Sequence, residues 1–363
     1  MKTLKIIAAG IVVVFLALWG CQEVEFPIQT LPTGNVNRNI GDTVYVQQNP
    51  DWTGFNHPQD IIIGNEPFVY VADTYNNRIV MLDIGGRILG YSQTIKNPVA
   101  IAEDKRLQLI VCAEFDTLLA GNSQPTTFGA IYRLNLFAVG NLISAATPRR
   151  VFYDPTDSVR RYTGVATLYD NTYYITRIGP KNELTRIDKD IAVLLFSKSD
   201  QLLSPVSNLV PEGTGLRSIH NLTSIATLPT GKSPEFVISQ TGSNALFKVQ
   251  WIRLVTAGQT SYFDSKFYPS VDGDIGLLQL GKFEQPEDVT LDPSGNLFVV
   301  DATRDSLYRF SSRGVERYSF GGTGSGEKQF RQPWGVAYYD KTVYVADAGN
   351  NRIVRFKLST DLD

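Results

Sequence analysis

The sequence predicts an all-β protein: a six-bladed β-propeller of four-stranded antiparallel blades, closed by an N-terminal strand. Three observations carry this prediction. Aromatic strand formers are abundant, with 17 Tyr and 19 Phe against two Met. Short runs of alternating apolar residues recur along the chain, separated by clusters of Gly, Pro, Asn and Asp. One more such run, Thr43–Gln47, stands near the N-terminus without a repeat of its own.

Six leading runs set the blade count. They open at Pro58, Pro98, Thr163, Leu222, Pro286 and Pro333, and each is followed by a second apolar run ending near Asp73, Glu114, Arg177, Gln240, Asp301 or Asp347. A hairpin unit of this kind cannot bury both of its faces alone, whereas units packed around an axis can. The last repeat stops at Arg355-Phe356-Lys357-Leu358, one strand short of a blade. Thr43–Gln47 is therefore expected to become the outer strand of the blade containing Val343–Leu358, joining the chain ends and covering an open edge.

The best copies are Tyr70-Val71-Ala72-Asp73-Thr74-Tyr75-Asn76-Asn77-Arg78-Ile79-Val80 and Tyr344-Val345-Ala346-Asp347-Ala348-Gly349-Asn350-Asn351-Arg352-Ile353-Val354. Their Asn pairs sit where a tight turn requires positive φ, which Asn tolerates. A third copy has Phe298-Val299-Val300-Asp301 and Arg304-Asp305-Ser306 at its turn. With their Pro-led strands these segments resemble NHL repeats, whose pattern is Pro-x-Gly-Val-Ala, then Tyr-Val-Ala-Asp, then Asn-Asn-Arg-Ile. The resemblance is strong at both ends of the array and faint across the three middle repeats. It implies a six-bladed propeller of the NHL/TolB-like kind found in Gram-negative bacteria.

Repeat spacing is uneven. The three intervals between Pro98 and Pro286 average about 63 residues, against the 40–50 usual for a blade. The excess is expected in loops at Phe115–Gly129, Leu136–Arg161, Asp200–Asn221 and Arg253–Lys282, where it either builds a binding face or is neutral drift.

Three segments divide the chain. Residues 1–20 read as a signal peptide, with Lys2 and Lys5 before an apolar run from Ile6 to Trp19. Leu18-Trp19-Gly20-Cys21 resembles a lipobox, which makes Cys21 the expected lipidated residue and residues 21–41 a tether. The propeller is expected over 42–363. The other cysteine, Cys112, falls in a strand and is expected to be a buried thiol. A formal net charge of -2 gives no reason to expect nucleic acid as a partner. These features point to a protein lipid-anchored at the outer membrane, facing periplasm or medium.

Aligning the six leads places Gln59-Asp60, Val99-Ala100, Thr163-Gly164, Thr223-Ser224, Glu287-Asp288 and Trp334-Gly335 around one channel mouth. Asp60, Glu287 and Asp288 flank Trp334, so they could hold Ca²⁺ or, with the aromatic, a cationic or sugar ligand. Equally, they could cap strand ends. Arg177 replaces the acid of the second strand in blade three and is expected either to pair with its neighbours or to point into the channel. A histidine zinc site usually takes two or three His. The chain has only His57 and His220, at the leads of blades one and four. No nucleophile elbow, P-loop or His-Glu-x-x-His run is present. The expected function is non-catalytic: binding or scaffolding an envelope protein, peptide or glycan, without a cofactor. The alternative is a calcium-dependent hydrolase or lyase with its site at the channel mouth.

Overall fold

Strand alternation and turn chemistry produce six sheets. The structure, a computed structural model, describes residues 44–273 and 275–359. The expected signal segment, Cys21, the tether and Thr43 lie outside the described residues. Each of six four-stranded sheets runs in simple antiparallel order from a leading strand: Pro58–Ile63, Lys96–Glu103, Arg161–Thr167, Asn221–Thr227, Pro286–Leu291 and Pro333–Tyr339. Five blades take four consecutive strands. The sixth takes three, and Tyr45–Trp52 supplies the outer one.

That outer strand confirms the expected closure and extends it. Tyr45 pairs with Leu358 and Gln47 with Phe356, and the strand runs on to Trp52 opposite Ile353. Ser359 N donates to Val44 O at 2.8 Å. Tyr45 is buried edge-on against Phe298, and Arg355 lies 4.7 Å over the Trp52 ring.

Successive strand residues point to opposite faces, so each blade feeds two cores. In blade one, Tyr70 and Ala72 pack toward blade two, while Val69 and Val71 pack toward blade six. The same alternation fills all six seams, each with its own apolar cluster. Cys112 lies in the seam between blades two and three, and burial pushes its thiol pKa up.

The turn residues differ from expectation in detail. Only the second Asn of each pair has positive φ, 53° at Asn77 and 56° at Asn351. The first donates its amide back to the preceding acid: Asn76 to Asp73 and Asn350 to Asp347, both 2.8 Å. The second also links blades. Asn77 Oδ1 accepts Asn97 N, and Asn351 Oδ1 accepts His57 N, each just before the proline of the next lead.

The expected loops are partly strands. In blade two, Gln108–Thr117 and Thr126–Asn135 form a hairpin of ten residues a side, because Glu114–Thr117 find partners in Thr126–Gly129. In blade four, Val249–Ala257 and Thr260–Ser265 are the blade's own outer hairpin. Leading strands run away from the mouth, so second-to-third and fourth-to-first connections return to it. The 115–128, 154–160, 206–220 and 266–285 segments therefore all rise on the mouth side. Among the described residues no helix is long and apolar enough to cross a membrane.

Candidate functional site at the channel mouth

Every leading strand is irregular at the same place. Its pairing with the second strand slips between Pro58 and Asp60, Lys96 and Ala100, Tyr162 and Gly164, Leu222 and Ser224, Pro286 and Asp288, and Pro333 and Gly335. A bulge inserts an unpaired residue and re-aims its side chain. The inserted residues are Gln59, Thr163, Thr223, Glu287 and Trp334, and in blade two the slip spans Asn97–Val99, with Val99 at the matching position. All six line one cavity of about 400 Å³ at the channel mouth, together with Tyr162 and Gln285.

The residue after each bulge lies deeper. Asp60, Ala100, Ser224 and Asp288 line a second, larger cavity of about 720 Å³ that opens on the opposite face. Gly164 supplies the fifth position of this waist and Gly335 the sixth. A Cβ there would stand 2.9 Å from the Asp60 Cα, so only glycine lets blade six approach blade one so closely.

The predicted carboxylate trio is thus split between two levels. Asp60 accepts from Ile61 N and, across the blade seam, from Ile101 N, both at 2.6 Å. Asp288 accepts from Val289 N, from the Ser224 hydroxyl of blade four and from Val336 N of blade six. Both carboxyls act as pins between blades, with their oxygens engaged. Glu287 faces the mouth instead, where Gln285 Nε2 donates to it. Among the described residues no group of three or more His, Cys, Asp and Glu is arranged to hold a metal.

Burial dominates the electrostatics. It raises the Asp60 carboxyl to about 6 and lifts Asp288 well above the usual range, with Asp60's charge adding to the rise. Glu287 is pushed up to about 7, again by burial first. At neutral pH the mouth therefore offers a carboxyl able to accept or donate a hydrogen bond, beside amides, hydroxyls and an aromatic ring.

Trp334 is held from behind. His57 stacks on Tyr75 at 4.4 Å and meets the Trp334 ring edge-on at 5.0 Å. Burial lowers the His57 pKa, which keeps the imidazole neutral in this stack. Trp334 Nε1 and Tyr162 Oη are both shielded from solvent and have no hydrogen-bond partner. His220 sits away from His57; its Nε2 lies 2.9 Å from Gly213 O, holding the loop before its own strand.

Arg177 does not point into the channel. It donates to Asp190 O, Lys189 O and Asp188 Oδ1, bracing the mouth-side 178–191 connection. Buried Arg160 joins the same connection to Asp154 of the neighbouring loop. Pairing of Arg177 was one of the two expected outcomes, but sequence reasoning missed Arg160, and it missed Arg161, which bonds Glu114 at the cavity wall.

Against this geometry, a profile of the NHL repeat matches residues 330–356, most of blade six. Blade six carries an NHL repeat. No curated protein matches the chain in sequence. Many solved structures share the fold. A gluconolactonase from Xanthomonas campestris is similar at 13% identity and a TM-score of 0.53, over 88% of this chain and 98% of its own. An auxiliary nutrient binding protein from Bacteroides thetaiotaomicron aligns at 12% identity and a TM-score of 0.55, over 84% and 70%. A calcium-binding protein, regucalcin, from Agrobacterium tumefaciens aligns at 10% and 0.55, over 86% and 93%. At such identities the likeness concerns the propeller fold.

Proposed function

We propose that this chain is a cell-envelope lipoprotein whose propeller binds the polar, uncharged end of a glycan at the bulged mouth, without catalysing a reaction on it. One observation carries the reading: six independent bulges turn Gln59, Val99, Thr163, Thr223, Glu287 and Trp334 into a single cavity. Its volume falls in the range of small-ligand pockets. An indole face backed by His57 suits the apolar face of a sugar ring, and amides with hydroxyls suit its hydroxyl groups. The mouth-side connections of blades two to four supply walls for a longer partner. Lipidation at Cys21 would hold the propeller at the outer membrane, facing periplasm or medium.

A second reading, a metal-dependent hydrolase or lyase at the same mouth, draws support from Glu287. A carboxyl with a pKa near neutrality beside an aromatic is suited to general acid–base work. Calorimetric titration of the full-length protein with neutral oligosaccharides, combined with elemental analysis of the sample, tests the two together. Saturable glycan binding with the glycan recovered intact supports the binding reading. Glycan or lactone turnover that a chelator abolishes overturns it in favour of the enzyme.

A further inference from the structure

The face opposite the mouth carries a further cavity, of about 450 Å³, toward the outside of the seam between blades two and three. The 104–108 turn and the 135–149 connection of blade two form one wall, and the 197–201 turn of blade three forms the other. At its base lies Arg133, on the third strand of blade two and only 5% exposed. Its guanidinium crosses the seam. Nε and Nη2 donate to Asp200 Oδ1 at 2.9 and 2.5 Å, and Nη1 donates to Asp104 Oδ2 at 2.8 Å. Asp200 also accepts the Tyr173 hydroxyl, and Asp104 also accepts Arg106 Nε and two backbone amides.

Positive charge and donors are left over. Arg106, Arg133, Arg149 and Lys198 line the cavity, against the two carboxylates of Asp104 and Asp200, whose oxygens are already engaged. Arg149 is 69% exposed and spends one nitrogen, on Asp200 Oδ2 at 3.1 Å. Arg106 leaves Nη1 unspent. Among the described residues Lys198 Nζ has no partner, and the Thr147 and Ser199 hydroxyls that line the same cavity make no hydrogen bond. Unspent N–H and O–H donors around a fixed arginine call for a group that only accepts, and an oxyanion is one. Arginine forks match phosphate and sulfate in geometry, and lysine adds a point charge.

We propose that this cavity binds a phosphate or sulfate ester, gripped by Arg149, Lys198 and Arg106. Arg133 and the two aspartates hold Arg106 and Arg149 in place. The cavity shares no residue with the mouth, and its volume falls in the small-ligand range, which leaves room for part of the molecule that carries the anion.

Calorimetric titration of the full-length protein with glucose 6-phosphate, at low ionic strength, tests this. The expected result is one saturable site that inorganic phosphate and inorganic sulfate displace and glucose does not. Arg149→Ala and Lys198→Ala, both exposed positions, should each weaken binding at least tenfold, with circular dichroism confirming that each variant is folded. Trp334→Ala at the mouth should leave binding unaltered. Cosedimentation with phosphatidylcholine vesicles, with and without phosphatidylglycerol, separates a lipid headgroup from a soluble ester. Extra binding to the anionic vesicles that the same two substitutions remove assigns the phosphate to a headgroup. Failure of both probes to bind overturns the proposal. Binding that survives in both folded variants, or that Trp334→Ala abolishes, also overturns it by placing the ligand elsewhere.

Discussion

Blades one, five and six differ from blades two, three and four in how they brace the mouth. In the first group a buried aspartate ends the second strand and collects the donors of its own turn and lead. Asp73 accepts Asn56 N, Asn76 Nδ2 and Arg78 Nε; Asp347 accepts Arg331 N, Asn350 Nδ2 and Arg352 Nε. Asp301 accepts four backbone amides. In the second group the position has been re-engineered. Gln240 still accepts the lead-in amide, from His220, but donates to Ser218 O and Phe247 O as well. Arg177 reverses the polarity and holds carbonyls. Glu114 reaches across to Arg161. The bracing task is retained while its chemistry follows the connections each blade carries. Short turns offer N–H donors to an acid, whereas the long 178–191 connection of blade three offers carbonyls to Arg177.

The largest expected effect lies in the regular group. Deleting Thr43–Gln47 removes Tyr45, Val46 and Gln47, the first three of the eight residues of blade six's outer strand, and opens the seam that Tyr45 fills. A loss of about 4 kcal/mol in unfolding free energy is expected from burial and ladder bonds together. Thermal unfolding that stays unchanged would sink the closure argument. Next, Asp347→Ala removes the acceptor of Arg331 N and of the buried Arg352 Nε, and one of the two acceptors of Asn350 Nδ2, and should lose about 3 kcal/mol in a denaturant titration. In the irregular group, Arg177→Ala should lose about 1 kcal/mol globally. It should instead speed proteolysis within 178–191, because its partners all lie in that connection. Equal global losses for the two variants would erase the distinction between the groups.

A subtler contrast appears with pH. Asp60, Asp288, Glu287 and Glu103 have folded pKa values raised by burial, so their stabilising contribution is full below the unfolded values near 4. For Asp60, Glu287 and Glu103 it is lost as pH rises through about 6 to 7, and for Asp288 it is lost well above the ordinary carboxylate range. Asp154, Asp157 and Asp188, in the mouth-side loops of blades two and three, are lowered on balance by hydrogen bonds and nearby Arg and Lys that outweigh burial. Their contribution is lost as pH falls through and below the ordinary carboxylate range. The melting temperature should therefore decline from pH 5 to pH 8, and Asp288→Asn should flatten that decline. A melting temperature that rises over this interval contradicts the buried-carboxyl reading.

Much of the fold was legible in sequence because blade count depends on repeated leads and alternation, which are local signals. Closure was legible because a surplus strand and a missing strand matched. The site was half legible. Trp334, Glu287 and Asp288 were found from repeat alignment. Their separation into two levels was not, because a one-residue bulge leaves no mark in a run such as Pro286-Glu287-Asp288. Ten-residue strands in blade two were hidden because Asn122, Ser123, Gln124 and Pro125 interrupt the pattern. Arg133 and Asp200 are far apart in sequence and meet only because two neighbouring blades pack.

The central claim is that the bulged mouth is the binding surface. The most direct measurement compares neutral-glycan affinity of folded Trp334→Ala with that of Glu103→Gln, whose substitution lies on the opposite face. The account predicts at least a tenfold loss for the first and none for the second. Equal affinity of Trp334→Ala and the unaltered protein would contradict it.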